Sequence, residues 1–159
     1  MDTKTPETVL PSLIGKAPWQ VSVAADSVVS MEFGVHDPRQ SGVRIHGEWS
    51  FWLYLCAWRI ETQDSLVVGS EDSIDTIRKA FAGLSWGPIR DLTLAKPALD
   101  LDINFGGRFR LRTFATSSFG SSREEWILYT PELKTIIARG GVLDVEDQPH
   151  AMSDDATRR

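Results

Sequence analysis

The fold is decided by GEWSFWLYLCAWRIE, residues 47–61, which holds three of the six tryptophans: Trp49, Trp52 and Trp58. Side chains of a strand alternate between its faces. Trp49, Phe51, Leu53, Leu55 and Ala57 therefore share one face, and Trp52, Tyr54, Cys56, Trp58 and Ile60 share the other. Both faces are apolar through the middle, and β-favouring residues dominate. This is the pattern of a central strand covered on both sides. Acidic residues bound the stretch, and it is too short to span a bilayer as a helix. The rest of the chain is expected to pack around it.

Upstream, residues 1–17 are polar and interrupted by proline, and read as a flexible lead-in pinned by Val9, Leu10, Leu13 and Ile14. Residues 19–24 read as a short strand. Val29, Met31 and Phe33 alternate with Ser30 and Glu32, as in a half-buried strand ending at Gly34. Residues 36–42 have loop composition, and residues 43–45 begin another strand. Downstream, residues 65–68 give a short strand, followed by the one convincing helix, about 73–84. Ser70, Asp72 or Ser73 can cap it, and Ile74, Ile77, Phe81 and Leu84 form its apolar stripe. Gly83 or Gly87 can stop it.

The second half holds the most readable local unit. Leu99, Leu101, Ile103 and Phe105 alternate with Asp100, Asp102 and Asn104; Phe109 and Leu111 alternate with Arg108, Arg110 and Arg112. A two-residue turn would set the apolar sets on opposite faces. A three-residue turn, 106–108, sets Phe105 against Phe109 and Ile103 against Leu111, so the hydrophobic pattern selects that register. It also places Asp102 opposite Arg112 and Asn104 opposite Arg110. Residues 114–122 read as a loop. Residues 125–130, 135–138 and 142–145 read as strands, and 148–159 as a disordered tail. A weak repeat links the halves: Val29-x-Met31-x-Phe33-Gly34 then Glu48-Trp49, against Leu101-x-Ile103-x-Phe105-Gly106 then Glu125-Trp126.

Composition bounds the function. The chain has 159 residues, 42% hydrophobic and 25% charged, with a net charge of −5. This implies a single globular domain over residues 18–147. The acidic balance argues against a nucleic-acid partner. A single cysteine, Cys56, permits no intrachain disulfide. No signal peptide and no apolar run of membrane-spanning length is present, so a cytoplasmic protein without membrane contact is expected.

Candidate chemistry is sparse. Glu71, Asp72 and Asp75 are what a helix N-terminus favours without any metal. The Arg108, Arg110 and Arg112 stripe faces Asp100, Asp102 and Asn104, and reads as a self-neutralising sheet face. His36 and His46 lack a second ligand or a base partner at recognisable spacing. Cys56 lies mid-strand as a small hydrophobe. No nucleotide-binding or nucleophile-elbow motif occurs, so no catalytic residue, metal or cofactor is assigned. The candidate binding residues are Trp52, Tyr54, Trp58, Trp126, His36, His46, Arg110 and Arg112, with most of the tryptophans expected in the core.

The run Leu101-x-Ile103-x-Phe105-Gly106-Gly107, Phe109-x-Leu111, Glu125-Trp126-Ile127-Leu128 and Gly140-Gly141-Val142-Leu143 resembles a family of small bacterial domains of unknown function. Their pattern is an L-x-L-x-F-x-G hairpin, an E-W pair and a late Gly-Gly. In size and β-rich build such domains resemble the immunity proteins that neutralise bacterial toxins. The expected fold is α+β: a mainly antiparallel twisted sheet or half-open barrel with one packed helix. The expected function is a non-enzymatic, immunity-type protein-binding module. The alternatives are a small-molecule binder or enzyme with an aromatic-lined pocket, and a homodimeric interaction domain.

Overall fold

The computed structural model describes residues 5–36 and 46–147, with only the backbone of His36. The loop read over 36–42, the strand start at 43–45 and the tail from 148 thus lie outside the described residues, apart from the backbone of His36. Elements run in the order α1 (Pro6–Val9), a 3-10 turn (Leu10–Leu13), β1 (Gln20–Val23), β2 (Val29–His36), β3 (Gly47–Leu53), β4 (Ala57–Glu61), β5 (Leu66–Gly69), α2 (Ile74–Gly83), β6 (Ile89–Ala95), β7 (Asp100–Phe105), β8 (Phe109–Phe114), β9 (Glu124–Tyr129), β10 (Lys134–Arg139) and β11 (Val142–Asp147).

The strands form two antiparallel sheets, where a single twisted sheet or half-open barrel was expected. The first is ordered β1-β2-β3-β9-β10-β11 and the second β5-β4-β8-β7-β6. Residues 47–61 are the cause. They do not make one strand. The chain turns at 54–56, so that β3 belongs to the first sheet and β4 to the second. The turn contains no Gly or Pro. It is held by β9: Tyr54 and Cys56 N–H both donate to the Glu125 carbonyl, at 3.0 and 3.3 Å, and Leu55 N–H donates to the Glu124 carbonyl at 3.2 Å. The turn also exchanges the inward parity. Trp49, Phe51 and Leu53 enter the core from β3, whereas Trp58 and Ile60 enter it from β4. The single strand is replaced by two: β3 is buried on both faces from Trp49 to Leu53, whereas β4 buries Trp58 and Ile60 on one face and leaves Ala57, Arg59 and Glu61 half-buried on the other.

The halves follow the same plan. β1-β2-β3 is a meander in the first sheet, and the chain then crosses to β4-β5 in the second. β6-β7-β8 is a meander in the second sheet, and the chain then crosses back to β9-β10 in the first. At the junctions Leu53 pairs with Trp126 and Phe51 with Leu128, while Thr113 pairs with Trp58 and Leu111 with Ile60. These registers make Trp126 the counterpart of Trp58. The alignment with Trp49 suggested by the sequence is therefore corrected. The motifs Val29-x-Met31-x-Phe33 and Leu101-x-Ile103-x-Phe105 do occupy equivalent places, in β2 and β7.

The 99–112 hairpin has the register that the hydrophobic pattern selects, Phe105 to Phe109 and Asp102 to Arg112. Gly106 and Gly107 supply positive φ values, +62° and +74°. Inward residues of both sheets join one core, and Trp126 Nε1 reaches across it to the Leu99 carbonyl at 3.0 Å. Four tryptophans, Trp49, Trp52, Trp58 and Trp126, are buried.

Each open side of the sandwich is closed by helix. α2 contacts the edge strands β1 and β5, while the N-terminal segment contacts the opposite edges β6 and β11. Ser73 caps α2, its hydroxyl accepting from Thr76 N–H, and Ile77 and Phe81 are buried. Phe81 meets the Trp58 ring at 5.6 Å. Leu10 and Leu13, read as pins of a loose lead-in, are fully buried members of the core.

Candidate functional site

The two crossings between sheets are equivalent in plan but differ in length. The first uses residues 54–56 and the second residues 115–123. The longer loop is built around a buried carboxylate. Glu125, 3% exposed, accepts through Oε1 from Thr116 N–H at 3.2 Å and from the Ser117 hydroxyl at 2.8 Å. The Thr116 hydroxyl and Arg123 guanidinium donate to the Leu55 carbonyl at 3.2 and 3.3 Å. Ala115 N–H donates to Asp100 Oδ1 at 2.8 Å, and Gly120 N–H to the Gly140 carbonyl at 3.0 Å. Gly140 has φ +56°, and a Cβ there would stand 2.6 Å from Ser121 backbone atoms, so the β10–β11 turn can approach the loop only with glycine.

These bonds hold Phe119 outward. It is 84% exposed, the most exposed large hydrophobic among the described residues. One side of its ring lies beside Gly141, where a Cβ would meet Phe119 Cδ2 at 3.1 Å. At the same end Leu55 is 37% and Val142 43% exposed. The arrangement can present an aromatic anchor without ordering a loop on binding.

Seven of the eight residues singled out from the sequence have described side chains, and they lie in four places. Trp58 and Trp126 are in the core. Trp52 lies on the outer face of the first sheet, in a small cluster with Ile127 and Ile137, and Tyr129 meets its ring at 5.8 Å. His46 is brought to Trp52, ring to ring at 6.1 Å. Tyr54 sits half-buried at the first crossing. Arg110 and Arg112 lie on the outer face of the second sheet. The side chain of His36 lies outside the described residues.

Beside Trp52 is a buried network that the sequence did not signal. Glu32, 3% exposed, accepts from His46 Nδ1 at 2.9 Å, Gly47 N–H at 3.0 Å and the Ser50 hydroxyl at 2.9 Å; Trp52 Nε1 donates to Ser50 at 2.7 Å. The bond suits the imidazole tautomer that carries its proton on Nδ1. An imidazole backed by a carboxylate is the equipment of a general base. Ser50, the hydroxyl in reach, is fully buried and turned to the carboxylate, so the network fastens β2 to β3. Glu32 stood in alternation with apolar residues, which reads as solvent-facing; nothing local distinguishes it.

The second sheet's outer face neutralises itself. Arg59 bonds Glu61 at 2.7 Å, Arg112 bonds Glu61 at 3.3 Å, and Arg110 grips both Asp102 oxygens at 3.1 Å. The Arg59 hydrogen bond, against the opposing effect of burial, holds the Glu61 carboxyl below its usual range, and Arg112 adds to this. Arg59 also covers the Phe114 ring at 4.6 Å. Burial first, then the Glu125 charge, pushes the Cys56 thiol up to about 12, so it is protonated near neutral pH and is no nucleophile there.

Among the described residues no group of three or more His, Cys, Asp or Glu is placed to hold a metal ion, and no helix is long and apolar enough to cross a membrane. Comparison with protein-family models, with curated proteins and with solved structures finds no match.

Proposed function

We propose that the protein is a non-enzymatic protein-binding module that engages its partner through the end of the sandwich carrying Phe119. The observation that carries this reading is the loop 115–123, in which a buried carboxylate and two backbone carbonyls fix the chain while its one phenylalanine is left to water. Aromatic residues on preorganised loops are the usual anchors of interfaces. Leu55 and Val142 extend the apolar surface, and Arg123 gives it a polar rim. The immunity-type form of the reading, with a bacterial toxin as partner, rests on the resemblance of the 101–143 motifs. The homodimer reading has less support: pairing two β11 edges would bring Asp144, Glu146 and Asp147 of each copy together.

Co-purification from the native host with quantitative mass spectrometry tests the proposal. A protein enriched with the unaltered chain should fall at least tenfold with Phe119→Ser and persist with Leu66→Ser, an exposed apolar residue on β5. Equal enrichment with both variants, or none with the unaltered chain, removes the proposal.

A further inference from the structure

The helices that close the sandwich leave a cleft on each side. One lies between the N-terminal segment and β6, about 410 Å³, lined by Leu10, Pro11, Leu92 and Leu94 with Glu7 and Lys96 at its rim. The other lies between α2 and β1, about 360 Å³, lined by Val21, Val23, Phe81 and Trp86 with Arg78 at its rim. The clefts occupy equivalent places. By the registers of the two meanders, Val21 and Val23 on β1 correspond to Leu92 and Leu94 on β6. Both set an apolar floor beside a cation.

The cations differ. Lys96 has its own counter-ion, Glu7, at 3.8 Å. Arg78 has no carboxylate partner among the described residues; its guanidinium makes one long bond, 3.4 Å, to the Val23 carbonyl at the cleft edge. The wall beside it is fixed. Trp86 Nε1 donates to the Phe81 carbonyl at 3.2 Å, and its ring stands edge-on to Phe81, Phe105 and Phe109 at 5.4, 5.1 and 5.1 Å. The pocket wall thus needs no rearrangement to accept a ligand.

We infer that the α2–β1 cleft binds a small amphipathic carboxylate, with its acid group on Arg78 and its apolar body against Val21, Val23, Phe81 and Trp86. A guanidinium takes a carboxylate through two parallel N–H bonds, which a single long bond to a carbonyl leaves available. The volume lies at the lower end of small-molecule sites, which favours a short chain or one ring. This site is separate from loop 115–123 and independent of the protein-binding reading.

Amide NMR of the full chain titrated with sodium octanoate, and separately with octan-1-ol, tests the inference. Octanoate should saturably shift the amides of Val21, Val23, Phe81 and Trp86. Arg78→Gln should weaken octanoate at least tenfold and leave octanol unchanged. Ala82→Trp, which fills the cleft from an exposed helix position, should abolish both while circular dichroism shows an intact fold. No saturable shift, equal octanoate binding by Arg78→Gln, or equal shifts at Leu92 and Leu94 overturns it.

Discussion

The outer faces of the two sheets occupy equivalent positions and carry opposite chemistry. Across the first sheet Trp52 pairs with Ile127 and Ser50 with Tyr129; across the second Arg112 pairs with Arg59 and Arg110 with Glu61. Beneath them the inward positions match in kind: Phe51 with Leu111, Leu128 with Ile60, Trp126 with Trp58. The inward pattern therefore suffices for the architecture, and the outward positions are free to specialise. Glu32 and Asn104 show the boundary between the two. At equivalent places in β2 and β7, both hold a backbone N–H near the start of the next strand, Gly47 at 3.0 Å and Gly107 at 2.9 Å. Only Glu32 has been built into a buried network.

The comparison breaks if inward counterparts behave differently. Trp126→Ala and Trp58→Ala should each destabilise by about 3–5 kcal/mol in urea unfolding, because each removes a large buried ring. Trp126 should be the worse, since it also loses its bond to the Leu99 carbonyl. A cost below about 1 kcal/mol at either position would end the equivalence. Glu32→Ala should cost about 2–3 kcal/mol, leaving the Gly47 N–H, the Ser50 hydroxyl and His46 without their acceptor. Asn104→Ala, with fewer bonds to lose, should cost about 1 kcal/mol.

The outward faces should also differ with pH. Burial first, then Glu124, raises the Tyr129 hydroxyl to about 12 from its ordinary 10.0. The unfolded chain ionises first, so this stabilisation is complete below pH 10 and is lost as pH rises through 12. The loss is at most about 3 kcal/mol. Absorbance titration at 295 nm should show one of the two tyrosines ionising near 12, and a midpoint near 10 for both refutes it. The smallest effect belongs to the charged face. Arg112→Leu should change stability by less than about 1 kcal/mol, as expected for partly exposed ion pairs.

What was legible in the sequence was local. The 99–112 hairpin could be registered because parity and turn length are both written in neighbouring residues. α2 could be bounded because its cap and stripe are. The turn at 54–56 could not, since Tyr54, Leu55 and Cys56 are apolar and β-favouring; their N–H groups are turned by carbonyls of Glu124 and Glu125, far along the chain. Phe119 was hidden for the converse reason. It sits alone among small polar residues with no periodicity, and its exposure follows from where Glu125 is buried. The aromatic candidates were chosen by residue type, which marks core and surface alike.

The crossings at 54–56 and 115–123 also govern how the chain can assemble. Neither half owns a complete sheet: β3 waits for β9, and β4 waits for β8. As the polypeptide leaves the ribosome, its first meander has one apolar face and one inner edge unmatched until Trp126 arrives opposite Leu53. Most strand pairings join neighbours in sequence and can form as hairpins, whereas β3 with β9 and β4 with β8 join distant segments and must close a long loop first. Until then the half-made sheet offers its edge to any other strand, and the chain's exposure to aggregation is set by the interval between making β3 and making β9.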